Sequence, residues 1–295
     1  MKKVSPSFAR LYPKLEEIPD MPIQFIRQLR PIWRLKKLKF YQLLQDHFDI
    51  AIFIRLPGIK FHVAIMFLRD LTWFIRSFGI RTNVESYQVE FLFDKILKIS
   101  NLSVFWDVGA NIGLYSWKAL STPSIQEVVL FEADSKNYKL LQKTVQKNNF
   151  KKAKIKHVAV SNVNGTIDFL VDNMTGATGC IKSDSLTSSS ISLHQDYNLE
   201  KTISVQSITL DSLTENGFSP PDIIKVDVEG AEGLVLEGSV NLIREYMPLL
   251  IVETGDQHII ANLKNLGYRI ISLDKSNIVF IPPRYNYLHE ETLTE

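Results

Sequence analysis

Two glycines and an acidic residue mark the stretch of this sequence best suited to bind a small molecule. Asp107 stands near the end of the apolar run 104–108, and Gly109 and Gly113 bound a short turn before a helical spacing begins. Glycines let the backbone approach a ligand closely, and ligands of open parallel α/β sheets lie at the carboxyl ends of strands. A carboxylate here would repel a phosphate and attract an ammonium group. The turn also lacks the middle glycine of the dinucleotide motif G-x-G-x-x-G.

A second acidic residue, Glu132, ends the next apolar run along the chain. An acid at that position can accept hydrogen bonds from the two hydroxyls of a ribose. Together, Asp107 and Glu132 indicate a ligand that has a nucleoside and an amino-acid tail but no phosphate. S-adenosylmethionine fits that description.

Three further acids follow predicted strands, and they are the candidate catalytic residues: Asp227, Glu229 and Glu253. One of them could act as a general base on an acceptor hydroxyl, or two could hold a divalent metal that acidifies the hydroxyl. The sequence leaves both alternatives open, and Glu229 could instead be a carboxylate that favours a helix N-terminus. His157 lies within a predicted strand and is better explained as a structural histidine.

The elements that must position these residues alternate between short apolar runs and amphipathic helices from residue 103 onward. Such alternation predicts an α/β fold with a mostly parallel sheet covered on both faces. The predicted strands are 104–108, 127–134, 154–161, 222–230 and 248–255, followed by a hairpin-like pair at 268–273 and 277–282. Residues 86–98 have helical spacing. An insertion at about residues 161–210 holds two extra strands, 165–172 and 202–210, around a serine-rich segment.

Four segments of the sequence resemble the successive motifs of the FkbM-type S-adenosylmethionine-dependent methyltransferases. They read FWDVGANIGLYSW, LFEAD, HVAVSNVNGTIDFLV and IIKVDVEGAEGLVLEG, within residues 105–238. The resemblance implies the class I methyltransferase fold, a Rossmann-like, mostly parallel sheet of seven strands flanked by helices, with the last strand antiparallel. It assigns residues 86–295 to the methyltransferase domain and leaves residues 1–85 as a mainly helical, basic and proline-interrupted extension.

The resemblance also implies roles for individual residues. The glycine turn would line the methionine part of S-adenosylmethionine, Glu132 would bind the ribose, two small residues would flank the adenine, and Asp227 and Glu229 would lie beside the sulfonium. The predicted cofactor-binding residues are Asp107, Gly109, Ala110, Asn111, Gly113, Glu132, Ala159, Val160 and Asp227. The family's typical reaction is methylation of a hydroxyl on a sugar, a glycan or another small metabolite.

Composition and charge narrow the function classes. The single cysteine, Cys180, excludes an internal disulfide and fits a reducing compartment, so we expect a cytoplasmic protein. Residues 1–100 hold 17 Lys and Arg against 9 Asp and Glu, whereas the whole chain has a net charge of +2. The basic residues concentrate in 27–41, which could contact the inner membrane surface peripherally or form a solvated helix face. No apolar run predicts a membrane span or a secretory signal.

These patterns predict an O-methyltransferase that acts on a small-molecule or glycan acceptor, with no nucleic-acid partner. Two alternatives stay open at this point. One is a nicotinamide-dependent oxidoreductase on a similar sheet, and the other is a non-catalytic protein that associates with membranes or nucleic acid through its basic segment.

Overall fold

The computed structural model describes residues 39–79, 84–99, 101–173, 175–182, 201–272 and 277–288. The chain divides into two units, one of residues 49–286 and one of residues 1–48 with 287–295. In the second unit, helix α1 (Lys39–Phe48) has no buried residue, and Phe40, Leu43 and Phe48 are exposed. No helix among the described residues is long and apolar enough to cross a membrane.

The larger unit contains all the strands found among the described residues. In chain order these are β1 (Ala51–Ile54), β2 (Val63–Met66), β3 (Val104–Val108), β4 (Glu127–Phe131), β5 (Ala153–Lys156), β6 (Ala159–Val160), β7 (Gly165–Val171), β8 (Cys180–Ile181), β9 (Lys201–Ile208), β10 (Ile223–Val226), β11 (Leu249–Glu253), β12 (Arg269–Ser272) and β13 (Asn277–Ile281). Its helices are α2 (Leu71–Arg76), α3 (Val84–Ile99), α4 (Leu114–Leu120), α5 (Ser135–Asn148), α6 (Leu210–Glu215), α7 (Glu232–Glu237), α8 (Val240–Tyr246) and α9 (Gln257–Asn265).

A seven-stranded sheet with the order β12-β13-β11-β10-β3-β4-β5 forms the centre of this unit. Strands β5, β4, β3, β10 and β11 run parallel, and β13 lies antiparallel to both of its neighbours, β11 and β12. This is the expected class I methyltransferase fold, so the predicted sheet and its antiparallel last strand are confirmed. The order changes direction between β3 and β10, where the carboxyl ends of the strands open a crevice.

The central strands are buried because helices cover both faces of the sheet. All four residues of β10 are buried, and one face of the sheet contributes Trp106, Val226 and Val252 to a continuous apolar core. Helix α5 begins at the cap Asp134, whose carboxylate accepts hydrogen bonds from the N–H groups of two residues in its first turn.

The stretch predicted as the third strand is divided between two sheets. Strand β5 ends at Lys156 in the main sheet, and β6 pairs instead with β9 in a second sheet of order β6-β9-β7-β8. The two strands predicted in the insertion correspond to β7 and β9, which pair antiparallel. The predicted serine-rich segment, 183–192, lies outside the described residues.

An antiparallel hairpin of β1 and β2, which the sequence did not predict, packs on α5. The Ala64 N–H donates to Thr144 Oγ1 at 2.9 Å, and the His62 N–H donates to Asn148 Oδ1 at 3.1 Å. Part of the predicted N-terminal extension therefore belongs to the same unit as the sheet. Most of the basic segment 27–41 lies outside the described residues.

Candidate active site

The glycine turn after β3 is fastened to the strands on both sides of it. The N–H groups of Gly109 and Ala110 donate to the carbonyl oxygen of Phe131, at 3.1 and 3.0 Å. On the other side, a Cβ on Gly109 would lie 1.9 Å from the carbonyl oxygen of Asp227. Gly109 also has a φ of +79°, which other residues rarely adopt. Only glycine lets the ends of β3, β4 and β10 approach this closely.

Gly113 ends the turn and sets the direction of α4. Its φ is +82°, and a Cβ there would lie 2.5 Å from the ring of Trp117. The indole N–H of Trp117 donates to the carbonyl oxygen of Ile112 at 2.6 Å, which ties the helix back to the turn. Gly113 therefore shapes the turn from behind and is not on the surface of the cleft.

A cleft opens at the carboxyl ends of the strands, and its volume of about 590 Å³ includes the open solvent at its mouth. Seven of the predicted site residues line it: Gly109, Asn111, Glu132, Ala159, Val160, Asp227 and Glu229. The other four do not line it: Asp107, Ala110, Gly113 and Glu253. The structure thus brings most of the predicted residues together, although Ala159 and Val160 come from the second sheet and not from the main one.

Glu132 is buried at the cleft and accepts two backbone hydrogen bonds. Its Oε2 accepts from the Asn111 N–H at 2.7 Å, and its Oε1 accepts from the Asp134 N–H at 2.8 Å. Burial raises the pKa of Glu132 to about 8, although these two N–H groups oppose the shift. The bond to Asn111, which has a φ of 52°, fixes the tip of the turn against β4.

Asp107 lies beneath the turn and is 1% exposed. Its Oδ2 accepts from the Ser116 hydroxyl at 2.6 Å, whereas its Oδ1 is buried and has no hydrogen-bond partner among the described residues. Burial raises the pKa of Asp107, against the effect of the nearby Lys225 ammonium group. A buried carboxylate oxygen without a donor is costly unless another group supplies one.

The pairing of the strands collects charged side chains on one face of the sheet. Lys225 stands opposite Asp107 in the pairing of β10 with β3, and its Nζ lies 2.7 Å from Asp227 Oδ2. The same Nζ sits 4.6 Å from the centroid of the Tyr115 ring. Burial alone would lower the pKa of Lys225, but the Asp227 and Asp107 carboxylates raise it. Lys225 is therefore charged and places a positive charge beside Asp107 and Asp227.

Asp227 and its acidic neighbours differ in protonation. Burial alone would raise the pKa of Asp227, but Lys225 holds it below its usual value. Three effects raise the pKa of Glu253 to about 9: repulsion from Asp227, burial, and a hydrogen bond between its protonated form and Asp227. Burial and Asp227 raise the pKa of Glu229 to about 8. At neutral pH, Asp227 is ionised and the two glutamates are mostly protonated.

These raised pKa values predict how the stability of the ligand-free protein depends on pH. Glu132, Glu229 and Glu253 keep protons in the folded state that an unfolded chain releases above about pH 4.5. Their contribution to stability is complete below that pH and is lost as the pH rises through about 8 to 9. We expect the melting temperature to fall between about pH 5.5 and 9, and to fall less in Glu132→Ala. A melting temperature that rises over this range would contradict the assignment.

Several residues at the site were not found from the sequence. Asp172 and Asn137 line the cleft, and Asp172 accepts hydrogen bonds from the backbone and hydroxyl groups of Thr175 and Thr178. A strand-end acid followed by threonines and glycines was the available signal for Asp172. His157 is exposed and stacks on Tyr138, with the ring centroids 4.6 Å apart.

The divalent metal left open by the sequence finds no support in the described part of the chain. No group of three or more His, Cys, Asp or Glu side chains there is arranged to hold a metal ion. Cys180 is buried, and burial raises its pKa to about 12, which makes a thiolate nucleophile unfavourable.

The model of the methyltransferase FkbM domain matches residues 107–270 of this chain. The methyltransferase FkbM of Methylobacillus flagellatus KT is 15% identical, with a TM-score of 0.44, and the match covers 87% of this chain but only 60% of that protein. The precorrin-6y C5,15-methyltransferase of Geobacter metallireducens GS-15 is 8% identical over 66% of this chain and 85% of its own, with a TM-score of 0.37.

A third similar structure is the 16S rRNA N2 G1207 methyltransferase RsmC of T. thermophilus, solved in complex with AdoMet and guanosine. It is 14% identical over 79% of this chain and 50% of its own, with a TM-score of 0.41. No protein of curated function matches significantly. The family match spans more than half of the sequence and includes the glycine turn, Glu132 and the acids after β10. The chain therefore belongs to the FkbM methyltransferase family.

Proposed function

We propose that this methyltransferase uses S-adenosylmethionine to methylate a hydroxyl group of a sugar, a glycan or another small metabolite. The observation that carries the proposal is the contact of Gly109 with the carbonyl of Asp227, which joins the glycine turn to the strand-end acids in one cleft. Methyl transfer follows from the family. The cofactor and the oxygen acceptor are the parts that need testing.

The residues of the cleft fit this cofactor. Gly109 and Asn111 line the cleft at the glycine turn, and the Asp107 carboxylate, buried beneath that turn, would place negative charge near an ammonium group bound there. Glu132 can accept ribose hydroxyls, and Ala159 and Val160 offer an apolar wall for the adenine. When bound, S-adenosylmethionine supplies a methyl group on a positively charged sulfur.

The acids around the cleft have complementary tasks in this proposal. Asp227, ionised and held by Lys225, presents negative charge toward the cleft and orients the acceptor. Glu229 also lines the cleft, and its pKa of about 8 suits a general base better than the depressed pKa of Asp227. Its φ of 55° is unusual for a residue other than glycine, and strained backbone angles of this kind are found often at functional sites. Glu253 does not line the cleft and serves as a proton-bearing neighbour of Asp227.

A carboxylate-rich cleft supports a polyhydroxyl acceptor over an anionic one. Asp172, Asp227 and Glu229 all line it and can accept hydrogen bonds from hydroxyl groups, and the ionised Asp172 and Asp227 repel phosphates. The same repulsion, and the lack of the middle glycine of the dinucleotide motif, disfavour a nicotinamide dinucleotide. Transfer of a labelled methyl group to neutral sugars, compared with amines and RNA, tests the acceptor class. Exclusive labelling of amines or RNA would overturn O-methylation.

Calorimetric titration of S-adenosylmethionine and S-adenosylhomocysteine tests the cofactor. We expect wild-type binding at about micromolar affinity, near −8 kcal/mol. Asp107→Asn should weaken it about tenfold, because the variant removes a negative charge buried beneath the turn that would bind the ammonium group. Asp222→Asn is the matched control, since Asp222 binds the N–H groups of Ser103 and Val104 at the opposite end of the same strands. Absence of wild-type binding, or equal effects of both variants, would count against the proposed cofactor.

A further inference from the structure

Arg69 is a buried arginine in the turn between β2 and α2, outside the residues that match the family model. It is 2% exposed, and its Nε donates to Asp70 Oδ1 at 2.8 Å. Its Nη2 donates to Asn137 Oδ1 at 2.6 Å, and its Nη1 lies 4.0 Å from Asp134 Oδ1. One guanidinium group thus reaches the first turn of α5, directly after the predicted ribose-binding residue Glu132.

The other side of Arg69 meets the insertion loop, which we define as residues 172, 173 and 175–179. A Cβ on Gly176 would lie 2.5 Å from the central carbon of the guanidinium group, so the loop backbone packs directly on it. The amide of Asn137 bridges the two, because it accepts from Arg69 and donates to the Gly176 carbonyl oxygen at 2.9 Å. Arg69 and Asn137 therefore clamp the loop to α5.

The insertion loop is built as a compact turn around the Asp172 carboxylate. Oδ1 accepts from the Thr175 N–H at 2.9 Å, and Oδ2 accepts from the Thr178 hydroxyl at 3.0 Å and from the Ala177 N–H at 3.2 Å. These bonds hold the pKa of Asp172 below its usual value even though burial alone would raise it. Such a turn moves as one piece, so its position depends on what fastens it to the rest of the fold.

The clamp lies at the cleft, not behind it. Asn137, Asp172, Gly176, Ala177 and Gly179 all line the cleft, together with Glu132 and the β6 residues. The insertion loop is thus a wall of the part of the cleft where the adenosine would bind. Asn137 links this wall to α5, and Arg69 orients Asn137.

From this geometry we propose that Arg69 is a positioning residue for cofactor binding, which holds the insertion loop as a wall over the adenosine. The inference rests on the proposed function and extends it, because it makes the segment before the family domain a part of the cofactor site. A planar guanidinium can donate in two directions while its face packs on Gly176, which an ammonium group cannot do. Arg69→Lys should therefore fail to replace it.

The test uses the full-length chain and two variants that alter the same contact from opposite sides, Arg69→Lys and Gly176→Ala. The matched controls are Arg76→Lys, which alters another buried, ion-paired arginine of the same segment, and Gly79→Ala, which has a φ of +78° and open space around its Cβ position. The readouts are the dissociation constant for S-adenosylhomocysteine, the melting temperature, and hydrogen exchange of residues 175–181 without ligand.

We expect Arg69→Lys and Gly176→Ala each to weaken S-adenosylhomocysteine binding about tenfold or more. The double variant should bind no more weakly than the single variant that has the lower affinity, since both substitutions act through one contact. Exchange should accelerate in the insertion loop and stay unchanged in β3 and β4. The controls should lower the melting temperature without changing the dissociation constant.

The outcomes separate this inference from the proposed function. If the wild type binds and both variants bind as tightly as the wild type, the inference is wrong. If the affinity falls only in proportion to the melting temperature across variants and controls, Arg69 has a structural role alone and the inference is also wrong. If the wild type itself does not bind S-adenosylmethionine or S-adenosylhomocysteine, the proposed cofactor has failed, and the inference fails with it.

Discussion

Gly109→Ala is expected to abolish cofactor binding and to destabilise the fold strongly. The added Cβ would lie 1.9 Å from the carbonyl oxygen of Asp227 and 2.9 Å from its carbonyl carbon. Both are backbone atoms of Asp227, the residue directly after β10, so no side-chain rotation relieves the clash. The strand ends must separate, which moves the turn away from Glu132 and Asp227 together. Overpacking of this kind costs about 1–3 kcal/mol, in addition to about 1–2 kcal/mol for the left-handed backbone.

Gly217→Ala is the matched control for this prediction. Gly217 has a φ of +80°, nearly the same as Gly109, but nothing lies within 4 Å of its Cβ position. Chemical denaturation of both variants separates the cost of the backbone conformation, which they share, from the cost of the clash. Equal losses of stability in the two variants, with cofactor binding retained in Gly109→Ala, would mean that this close approach does not build the site.

Glu229→Gln is expected to lower the rate of methyl transfer by about 10²–10⁴-fold, the usual contribution of a general base. The amide keeps the size of the side chain and cannot accept a proton. Because the pKa of Glu229 is raised to about 8, the base is mostly protonated and inactive at neutral pH. The wild-type rate should therefore rise with pH through about 8, and this rise should disappear in the variant.

Single-turnover rates between about pH 6 and 10, with S-adenosylmethionine saturating, measure this effect directly. Glu237→Gln is a suitable control, since Glu237 is at the end of α7, where it accepts from Asn162 Nδ2 at 2.9 Å and does not line the cleft. S-adenosylhomocysteine should bind Glu229→Gln within a few-fold of the wild type. A pH rise that persists in Glu229→Gln would assign the titration to another group, and the proposed role of Glu229 would be wrong.

Local patterns predicted the order of strands and helices because most strands of the main sheet are short apolar runs with turn residues beside them. The glycine turn and Glu132 were predicted because their residue types, and their positions at the ends of parallel strands, indicate a binding site. The division of 154–161 was not predictable in this way. Strand β6 pairs with β9, about fifty residues further along the chain, and no local pattern near His157 encodes that partner.

The protonation of the site also depends on contacts that sequence spacing does not give. Lys225 lies within a strand, and its sequence position does not indicate a role. Its place opposite Asp107 and beside Asp227 comes from the register of β10 on β3. Glu253 likewise meets Asp227 only because β11 lies next to β10. Arg69 was not predicted, because its partners at the cleft, Asp134 and Asn137, are more than sixty residues away in the sequence.

The position of β10 in the middle of the main sheet has a consequence for synthesis of the protein on the ribosome. Strand β3 emerges more than a hundred residues before β10, the neighbour that finally covers one of its edges. During that interval its apolar edge, with Phe105 and Trp106, lacks a pairing partner that only later translation can provide. Exposed strand edges of this kind promote association between chains. The nascent chain therefore carries an edge that can associate with other chains until β10 has been translated, well before any cofactor can bind.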